Sequence, residues 1–372
     1  MLFTKGIEVE QYTGLSNGQV IPLSALISQH LEGFTVEPDQ RNVEFITPAV
    51  TSYDELLEHT IKSRMKLRSF LQSQNPDWTV VPGSTLTLPF EHNFIFSKPE
   101  DAYHQHIHKT HGLSIITTSI HYNIGINDTE ELIRVVNLMR LEAPLILALT
   151  ACSPFLDGQH TGNQSSRWKT FPKVPTIVPF FDSHAHFINW IEKNIEDGHM
   201  FNVRHFWSSV RPNGNNRPKQ LNRLEVRIAD LSTNWATVMA IMAWIEVRVQ
   251  YFLGRPDLKV PSEDETLIVL SDTNEDYAAT QGLHAPFSDW IDEEETSCFS
   301  AVESRLNDMS DLANELGITK HLKPIENILN EGNESSQLLE KFEEGHSLET
   351  IMEDWVQESQ EEDLKVAAHC KA

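Results

Sequence analysis

The sequence predicts a fold that combines a β-sheet with helices, because segments with the period of a β-strand and segments with the period of a helix both recur along its 372 residues. Three short segments, 5–10, 119–126 and 223–228, alternate polar and apolar residues, as strands do when one face of a sheet is buried. Longer segments carry apolar residues at helical spacing. We therefore expect a sheet whose apolar face packs on a core and whose other face is polar.

The polar face of this sheet concentrates ionisable residues. Side chains two residues apart on a strand point to the same side, which pairs Glu8 with Glu10, His121 with Asn123, and Glu225 with Arg227. We call these residues, together with Glu44 from a further alternating segment, the polar front. An ordinary solvated face with salt bridges is the alternative reading. Three such segments together favour a functional site, because burying so many charges is unfavourable unless ions or a ligand neutralise them.

Strands and a helix are predicted in the first part of the chain. Residues 41–47 alternate as a strand that Pro48 ends. Residues 52–74 have helical spacing, and Ser52 with Glu55 forms a capping box at their start. Residues 80–85 are expected to be a strand that runs into a Gly/Ser loop.

Helices and one long loop are predicted further on. The helices are expected at about 129–149, 184–195 and 232–253. Residues 152–179 are rich in Pro, Gly, Ser and Thr and are long for an inert connection. We interpret that segment as an active-site loop.

The composition limits the possible functions. A formal net charge of −25 argues against nucleic acid as a partner, since its recognition needs clustered Lys and Arg. The cysteines Cys152, Cys298 and Cys370 suggest neither a disulfide framework nor a zinc cluster, so a cytoplasmic location fits best. We interpret Cys152 as a buried small residue rather than a catalyst. We expect no signal peptide and no stretch of the roughly 20 apolar residues that would span a membrane.

The polar front has the ligand types that a hard divalent cation prefers, namely several carboxylates and one imidazole on a rigid sheet. These residues are Glu8, Glu10, Glu44, His121 and Glu225. They predict a magnesium or manganese site, whereas the lack of a cysteine-rich ligand set argues against structural zinc. Other histidines lack such carboxylate spacing and are expected to be exposed or to cap helices: His104, His106, His108, His111, His184 and His186.

Three arginines are the cations that we expect to face this front. Arg227 lies on the third strand segment, and Arg167 and Arg211 are expected on loops. A guanidinium beside carboxylates is either a structural ion pair or a clamp for a phosphoryl group in transfer, and the shared face with Glu225 favours the clamp for Arg227. Neither a Gly-x-x-x-x-Gly-Lys phosphate loop nor a Gly-x-Gly-x-x-Gly dinucleotide turn occurs. If ATP binds, metals on the sheet must hold its phosphates.

An ordered set of motifs along residues 5–255 resembles the glutamate–cysteine ligases, and in particular the cyanobacterial-type branch of the carboxylate–amine ligase family. The motifs are Gly6-Ile7-Glu8-Val9-Glu10, Glu44-Phe45-Ile46-Thr47-Pro48, Pro82-Gly83-Ser84-Thr85, Ile120-His121-Tyr122-Asn123, Ser153-Pro154-Phe155 with Ser165-Ser166-Arg167, and Leu224-Glu225-Val226-Arg227. The resemblance implies an α+β, glutamine-synthetase-like fold, in which a curved, mainly antiparallel sheet has helices packed on its back face. The concave face would hold ATP and Mg²⁺.

The same resemblance implies roles for individual residues. The metal ligands would be Glu8, Glu10, Glu44, His121 and Glu225, with Glu37 as a further acidic ligand from a loop. Arg227 and Arg167 would be catalytic, and Arg227 would meet the transferred phosphoryl group. Substrate or ATP would contact Ser84, Thr85, Asn123, Arg167, Arg211 and Arg227. Many weakly active relatives carry His-x-His on this strand, so Asn123 in His121-Tyr122-Asn123 favours true ligase activity.

The expected function is the ATP-dependent joining of the γ-carboxylate of L-glutamate to the amine of L-cysteine through γ-glutamyl phosphate, the first step of glutathione biosynthesis. Residues 1–260 would form the catalytic core, and residues 261–372 an acidic helical part packed on the same domain. Two alternatives stay open. One is a carboxylate–amine ligase with another amine acceptor, and the other is a magnesium- and nucleotide-binding regulatory protein without turnover.

Overall fold

A large antiparallel sheet organises the protein, which a computed structural model describes over residues 1–262 and 264–370. The strands in chain order are β1 (Lys5–Leu15), β2 (Phe34–Val36), β3 (Asn42–Ile46), β4 (Trp78–Val81), β5 (Ile120–Gly125), β6 (Phe155–Leu156), β7 (Gln159–His160), β8 (Val210–Asn213), β9 (Arg223–Val226), β10 (Pro286–Ser288) and β11 (Glu295–Ser297). The large sheet has the order β2-β3-β1-β5-β9-β8, and β4 pairs with the second half of β1. β6 with β7, and β10 with β11, form two small hairpins.

Helices account for most of the remaining described chain. They are α1 (Ser24–His30), α2 (Tyr53–Gln74), α3 (Ala102–His111), α4 (Thr129–Thr150), α5 (Ser166–Thr170), α6 (His184–Glu196), α7 (Trp235–Leu253), α8 (Glu265–Gln281), α9 (Cys298–Leu316), α10 (Thr319–Glu331), α11 (Glu334–Glu343) and α12 (Leu348–His369). Every strand pair in the large sheet is antiparallel. The fold is therefore α+β, as the sequence predicts.

The sheet has the predicted division between an apolar and a polar face. Ile7, Val9, Ile120, Tyr122 and Leu224 are fully buried on the apolar side, where α4 and α7 form part of the same hydrophobic core. α4 is buried on all sides over most of its length, so it is a central helix of the protein. This apolar backing fixes the register of the strands, since a shift by one residue would exchange the two faces.

The predicted elements are confirmed, with small shifts at their ends. α2 begins after Ser52, whose hydroxyl accepts a hydrogen bond from the Glu55 backbone N–H at 3.3 Å. α7 begins at Trp235 rather than at residue 232, because the Asn234 side chain caps its N-terminus by accepting from the Thr237 N–H. The segment 152–179 is more ordered than a plain loop, since it contains β6, β7 and α5.

α7 corrects one expectation. By length and composition alone this helix could cross a membrane, although no such stretch was expected. Its apolar window is 72% buried inside the protein, and it carries Glu246 and Arg248, which are both buried and ion-paired. α7 therefore has the features of a core helix.

The C-terminal helices are tied to earlier ones by buried ion pairs. Arg305 of α9 lies 3.2 Å from Glu142 of α4, and Asp363 of α12 accepts from Arg64 and Arg68 of α2. Separating a buried pair would leave a charge without a partner in the interior, so these contacts hold α9 and α12 in defined positions. The division of the chain at residue 260 stays a prediction.

Candidate active site

Strand pairing brings the predicted residues of the polar front together. On directly opposed positions, Glu8 of β1 faces His121 of β5, and Glu10 of β1 faces Glu44 of β3. Glu225 of β9 likewise stands opposite Asn123 of β5 and Arg211 of β8. Residues directly opposite each other have their Cβ atoms about 5 Å apart, so these side chains contact one another across the sheet.

His121 lies at the centre of the carboxylates. Its Nδ1 is 3.2 Å from Glu8 Oε2 and 3.8 Å from Glu225 Oε1, and its Nε2 is 3.8 Å from Glu10 Oε1. Two sets of possible ligand atoms, each within 4.8 Å of one another, share this histidine: Glu8 with His121 and Glu225, and Glu10 with Glu44 and His121.

Glu44 and Glu37 are crowded by other carboxylates in the cleft. Burial, followed by the charges of Glu8 and Glu10, raises the pKa of Glu44 to about 8. Burial and the charges of Glu44 and Glu10 also raise the pKa of Glu37 well above its usual range. A divalent cation would remove this repulsion, so the donor set fits a hard metal ion such as Mg²⁺.

Glu225 has the opposite environment. Its oxygens accept from Arg211 at 2.7 and 3.1 Å, from Asn213 at 2.6 Å and from Arg227 at 2.6 Å. Although burial opposes ionisation, Arg211 and Arg227 hold the pKa of Glu225 well below its usual range. These bonds occupy the lone pairs of the carboxylate, so the set with Glu10, Glu44 and His121 is the freer of the two for a metal.

Arg227 lies where the acidic and basic parts of the site meet. Its Nη1 is 2.6 Å from Glu225 Oε1 and 3.3 Å from His121 Nδ1. The residue follows directly after β9, and its backbone N–H donates to Ser209. Arg227 is thus held by the sheet, next to the atoms that could ligate a metal.

The other two predicted arginines are placed by regular structure and not by loops. Arg211 lies on β8, and its guanidinium is bonded to Glu225 and to the Phe206 carbonyl. Arg167 lies in α5, and its guanidinium donates to the carbonyls of Ile228 and Arg227. Arg167 therefore reaches the cleft while it also fixes the backbone beside Arg227.

Ser84 and Thr85 lie outside the cleft, contrary to the expectation that they contact substrate or ATP. Ser84 Oγ accepts from the Leu231 N–H at 2.6 Å, and the Thr85 hydroxyl donates to the Phe155 carbonyl at 2.7 Å. Both side chains are buried. Gly83 has a φ of 108°, which glycine adopts readily, and this turn directs the following residues into the interior.

Asn123 and Glu37 are at the margin of the front. Asn123 donates to Glu8 Oε1 at 3.2 Å and accepts from Arg223, so in this structure it orients a carboxylate. Glu37 directly follows β2 and lines the same cleft as Glu8, Glu10 and Glu44.

The polar front forms the floor of a cleft of about 250 Å³. Its walls include residues that no sequence motif indicates. They are Tyr103 and Ile107 of α3, Phe171, Arg204, Trp207 and Arg217. They come from distant parts of the chain and carry no local pattern. Only the tertiary structure shows that they belong to the site.

The histidines of α3 correct a further expectation. Residues 102–111 form a helix because Asp101 caps it by accepting from the Tyr103 and His104 N–H groups. His104 is buried, and His111 Nε2 lies 2.9 Å from His205 Nε2. These two histidines are thus packed behind the cleft wall and are not simply exposed or capping.

A second cavity, of about 270 Å³, lies among α7, α10, α11 and α12. Its buried carboxylate, Glu334, accepts from Ser232, Thr233 and the Asn234 N–H. This carboxylate has its hydrogen-bonding capacity met by the protein, so it is a structural group at the start of α7.

Comparisons with known proteins point to one family. The model of glutamate–cysteine ligase family 2 matches residues 4–367. A relative from Sorangium cellulosum, provisionally named glutamate–cysteine ligase 2, is 27% identical over 244 residues, which are 64% of this chain and 63% of the relative. The match thus spans less than two thirds of that relative's length. A relative from Rubrobacter xylanophilus, provisionally named glutamate–cysteine ligase 2-1, is 25% identical over 358 residues, which are 92% of this chain and 90% of the relative.

Two solved structures show the same fold. The glutamate–cysteine ligase of Francisella tularensis, solved in complex with AMP, aligns with a TM-score of 0.75 at 14% identity, over 100% of this chain and 92% of that one. The bifunctional glutathione synthetase of Pasteurella multocida aligns with a TM-score of 0.75 at 14% identity, over 98% of this chain and 53% of that one. These alignments confirm the predicted glutamine-synthetase-like α+β fold.

Proposed function

This chain belongs to glutamate–cysteine ligase family 2, and we propose that it is an ATP-dependent ligase that joins the γ-carboxylate of L-glutamate to the amine of L-cysteine. The observation that carries the proposal is the position of His121 between two carboxylate clusters, with Arg227 within 3.3 Å of its ring. Cation ligands and a fixed guanidinium at one point are what phosphoryl transfer from ATP requires.

The chemistry proceeds in two steps. A γ-carboxylate oxygen of glutamate attacks the γ-phosphorus of ATP, which forms γ-glutamyl phosphate and releases ADP. The amine then attacks the carbonyl carbon, phosphate leaves, and the amine loses a proton as the amide forms. Activation is needed because oxide is a very poor leaving group, whereas phosphate is a good one.

The residues of the cleft have separate roles in this scheme. Glu8, Glu10, Glu44 and His121 would hold Mg²⁺, and Glu37 lies beside them. When bound, magnesium would neutralise the negative charge of the phosphate groups. Arg227 donates hydrogen bonds to the phosphoryl group as its charge spreads over the oxygens, and Glu225 with Arg211 keeps that guanidinium in place.

The metal and phosphoryl sites do not by themselves identify the acceptor amine. A ligase that uses another amine would have the same metal and phosphoryl sites, because the acceptor contacts neither in the first step. A binding protein without turnover is disfavoured by the intact set of carboxylates and by Arg227.

Release of ADP with a panel of amines tests the proposal. The protein is incubated with ATP, Mg²⁺ and L-glutamate, and ADP is measured while L-cysteine is replaced in turn by other amino acids and simple amines. We expect release to be fastest with cysteine and to need glutamate. Faster release with a different amine would support the alternative acceptor, and no release with any amine would support the regulatory protein.

A further inference from the structure

The cleft contains more arginines than its carboxylates use. Arg211 and Arg227 are bonded to Glu225, and both terminal nitrogens of Arg167 donate to backbone carbonyls, although its Nε is buried without a partner in the described part of the chain. Arg204 is exposed and its guanidinium lies 4.7 Å from the centre of the Tyr103 ring, so water can satisfy its donors. Arg217 is the remaining arginine among the described residues that line this cleft.

Arg217 has no partner within the described part of the chain. Its guanidinium makes neither a hydrogen bond nor a salt bridge there, and its Nη1 is buried without a partner. A buried donor without a partner is energetically unfavourable, and more so when the group is charged. In native proteins the great majority of buried polar atoms have a partner, which is a protein group, an ordered water or a ligand.

The position of Arg217 is fixed by a constrained loop between β8 and β9. Asn216 and Gln220 form a β-bridge across this loop, and the Gly214 N–H is bonded to Asn213 Oδ1. A Cβ atom at Gly214 would lie only 2.0 Å from the Gln220 carbonyl oxygen, so the two sides of the loop pack with no space for a side chain. The loop therefore holds Arg217 at the cleft instead of leaving it free in solvent.

The surroundings of Arg217 are also rich in positive charge. Burial, followed by the charge of Arg211, lowers the pKa of Arg217 to about 9. The residue is still cationic at neutral pH, and its neighbour Glu225 is already shared by Arg211 and Arg227. An anion that enters the cleft would find an unpaired guanidinium there.

We infer that Arg217 binds an anionic oxygen of a substrate, either a carboxylate of the amino acid or a phosphate of the nucleotide. Both sources present the planar or branched oxygen groups that a guanidinium fork recognises. The inference deepens the proposed function and rests on it for the identity of the substrates. It assigns Arg217 to binding and leaves phosphoryl transfer to Arg227.

Binding measurements without turnover test this assignment. Calorimetric titrations with L-glutamate alone, and with ATP alone in the presence of Mg²⁺, are compared for wild type, Arg217→Gln, Arg217→Lys and Lys219→Gln. Lys219→Gln is the matched control, because this substitution also removes one positive charge from the loop. The Lys219 side chain is 65% exposed and is paired with Glu192, away from the cleft. Thermal unfolding of each variant shows whether the fold is retained.

We expect Arg217→Gln to weaken the binding of one of the two ligands by about tenfold or more, which is typical for a hydrogen bond to a charged group. Lys219→Gln should leave both affinities unchanged within about twofold. Arg217→Lys should recover part of the loss, because it restores the charge but not the fork. The ligand that is affected identifies the source of the anionic oxygen.

Other outcomes separate failure of this inference from failure of the proposed function. If wild type binds both ligands and Arg217→Gln binds them equally well, the inference is wrong and the proposed function stands. If Arg217→Gln unfolds, the affinities of Arg217→Lys are compared with those of wild type instead. The inference is wrong if Arg217→Lys binds both ligands as tightly as wild type and its affinities fall no further than those of wild type when salt is added. If wild type binds neither glutamate nor Mg²⁺-ATP, the proposed function is wrong and the inference fails with it.

Discussion

Replacement of Glu44 by Gln should stabilise the metal-free protein at neutral to alkaline pH. Glu44 stands opposite Glu10 across the sheet, and burial with the charges of Glu8 and Glu10 raises its pKa from 4.5 to about 8. A carboxyl group with a higher pKa in the folded than in the unfolded chain binds its proton more tightly when folded. Its contribution to stability is therefore full below about pH 4.5 and is lost as the pH rises towards about 8.

The size of the effect follows from the change in proton affinity. Each tenfold change in proton affinity corresponds to about 1.4 kcal/mol, so raising the pKa of Glu44 from 4.5 to about 8 would cost on the order of 5 kcal/mol in a rigid, dry site. The side chain of Glu44 is only half-buried, so solvent screening reduces this to about 1–3 kcal/mol. Arg227 and the Thr35 hydroxyl both lower the pKa of Glu44, and the value of about 8 is reached in spite of them.

Urea unfolding in the presence of a chelator measures this difference. The free energy of unfolding of wild type and Glu44→Gln is compared between roughly pH 5.5 and pH 8.5, with Glu303→Gln as the control at an exposed helical position. We expect the advantage of Glu44→Gln to grow with pH and the control to show no trend. Mg²⁺ should then stabilise wild type more than Glu44→Gln, because a ligand of the folded state adds to its stability. A Glu44→Gln variant that is less stable than wild type at every pH would refute the account of the charge on this site.

Three further variants test separate parts of the site. Arg227→Lys should fold normally yet lose about 10² to 10³ in kcat, because a point charge cannot replace the fork at a transferring phosphoryl group; near wild-type kcat with an unchanged thermal midpoint would make Arg227 a structural ion pair. Glu10→Gln should shift the Mg²⁺ dependence of ADP release to higher concentration, and an unchanged titration curve would remove Glu10 from the metal ligands. Ser84→Ala should lower the free energy of unfolding by about 1–3 kcal/mol, because the buried Leu231 N–H loses its acceptor; an increased KM for ATP with unchanged stability would instead return Ser84 to the nucleotide site.

The period of the strands was enough to predict the floor of the site. Alternation in β1, β5 and β9 places Glu8, His121 and Glu225 on one face regardless of the rest of the fold, because side-chain direction is a local property of a strand. It does not reveal which strands are neighbours. The contact between Glu10 and Glu44 follows from the pairing of β1 with β3, and the contact between Glu225 and Arg211 follows from the pairing of β9 with β8.

The walls of the cleft could not be predicted in this way. Arg217 lies in a polar loop whose composition is typical of any turn, and its place beside the cleft is visible only in the folded protein. Ser84 shows the reverse case. It lies in a motif that resembles a substrate-binding segment, but the positive φ of Gly83 directs its hydroxyl into the interior, where the Leu231 N–H needs an acceptor.

Transfer of an oxygen atom from glutamate to phosphate is a direct test of the acyl-phosphate route. L-Glutamate labelled with ¹⁸O in its γ-carboxylate is incubated with the protein, ATP, Mg²⁺ and L-cysteine, or with whichever amine supports ADP release, and the released phosphate is examined by mass spectrometry. Attack of the carboxylate on the γ-phosphorus forms a C–O–P bridge, and its C–O bond breaks when the amine attacks. The acyl-phosphate route therefore predicts phosphate that carries a single ¹⁸O atom from glutamate. Phosphate without the label, formed together with the amide product, would contradict the acyl-phosphate route.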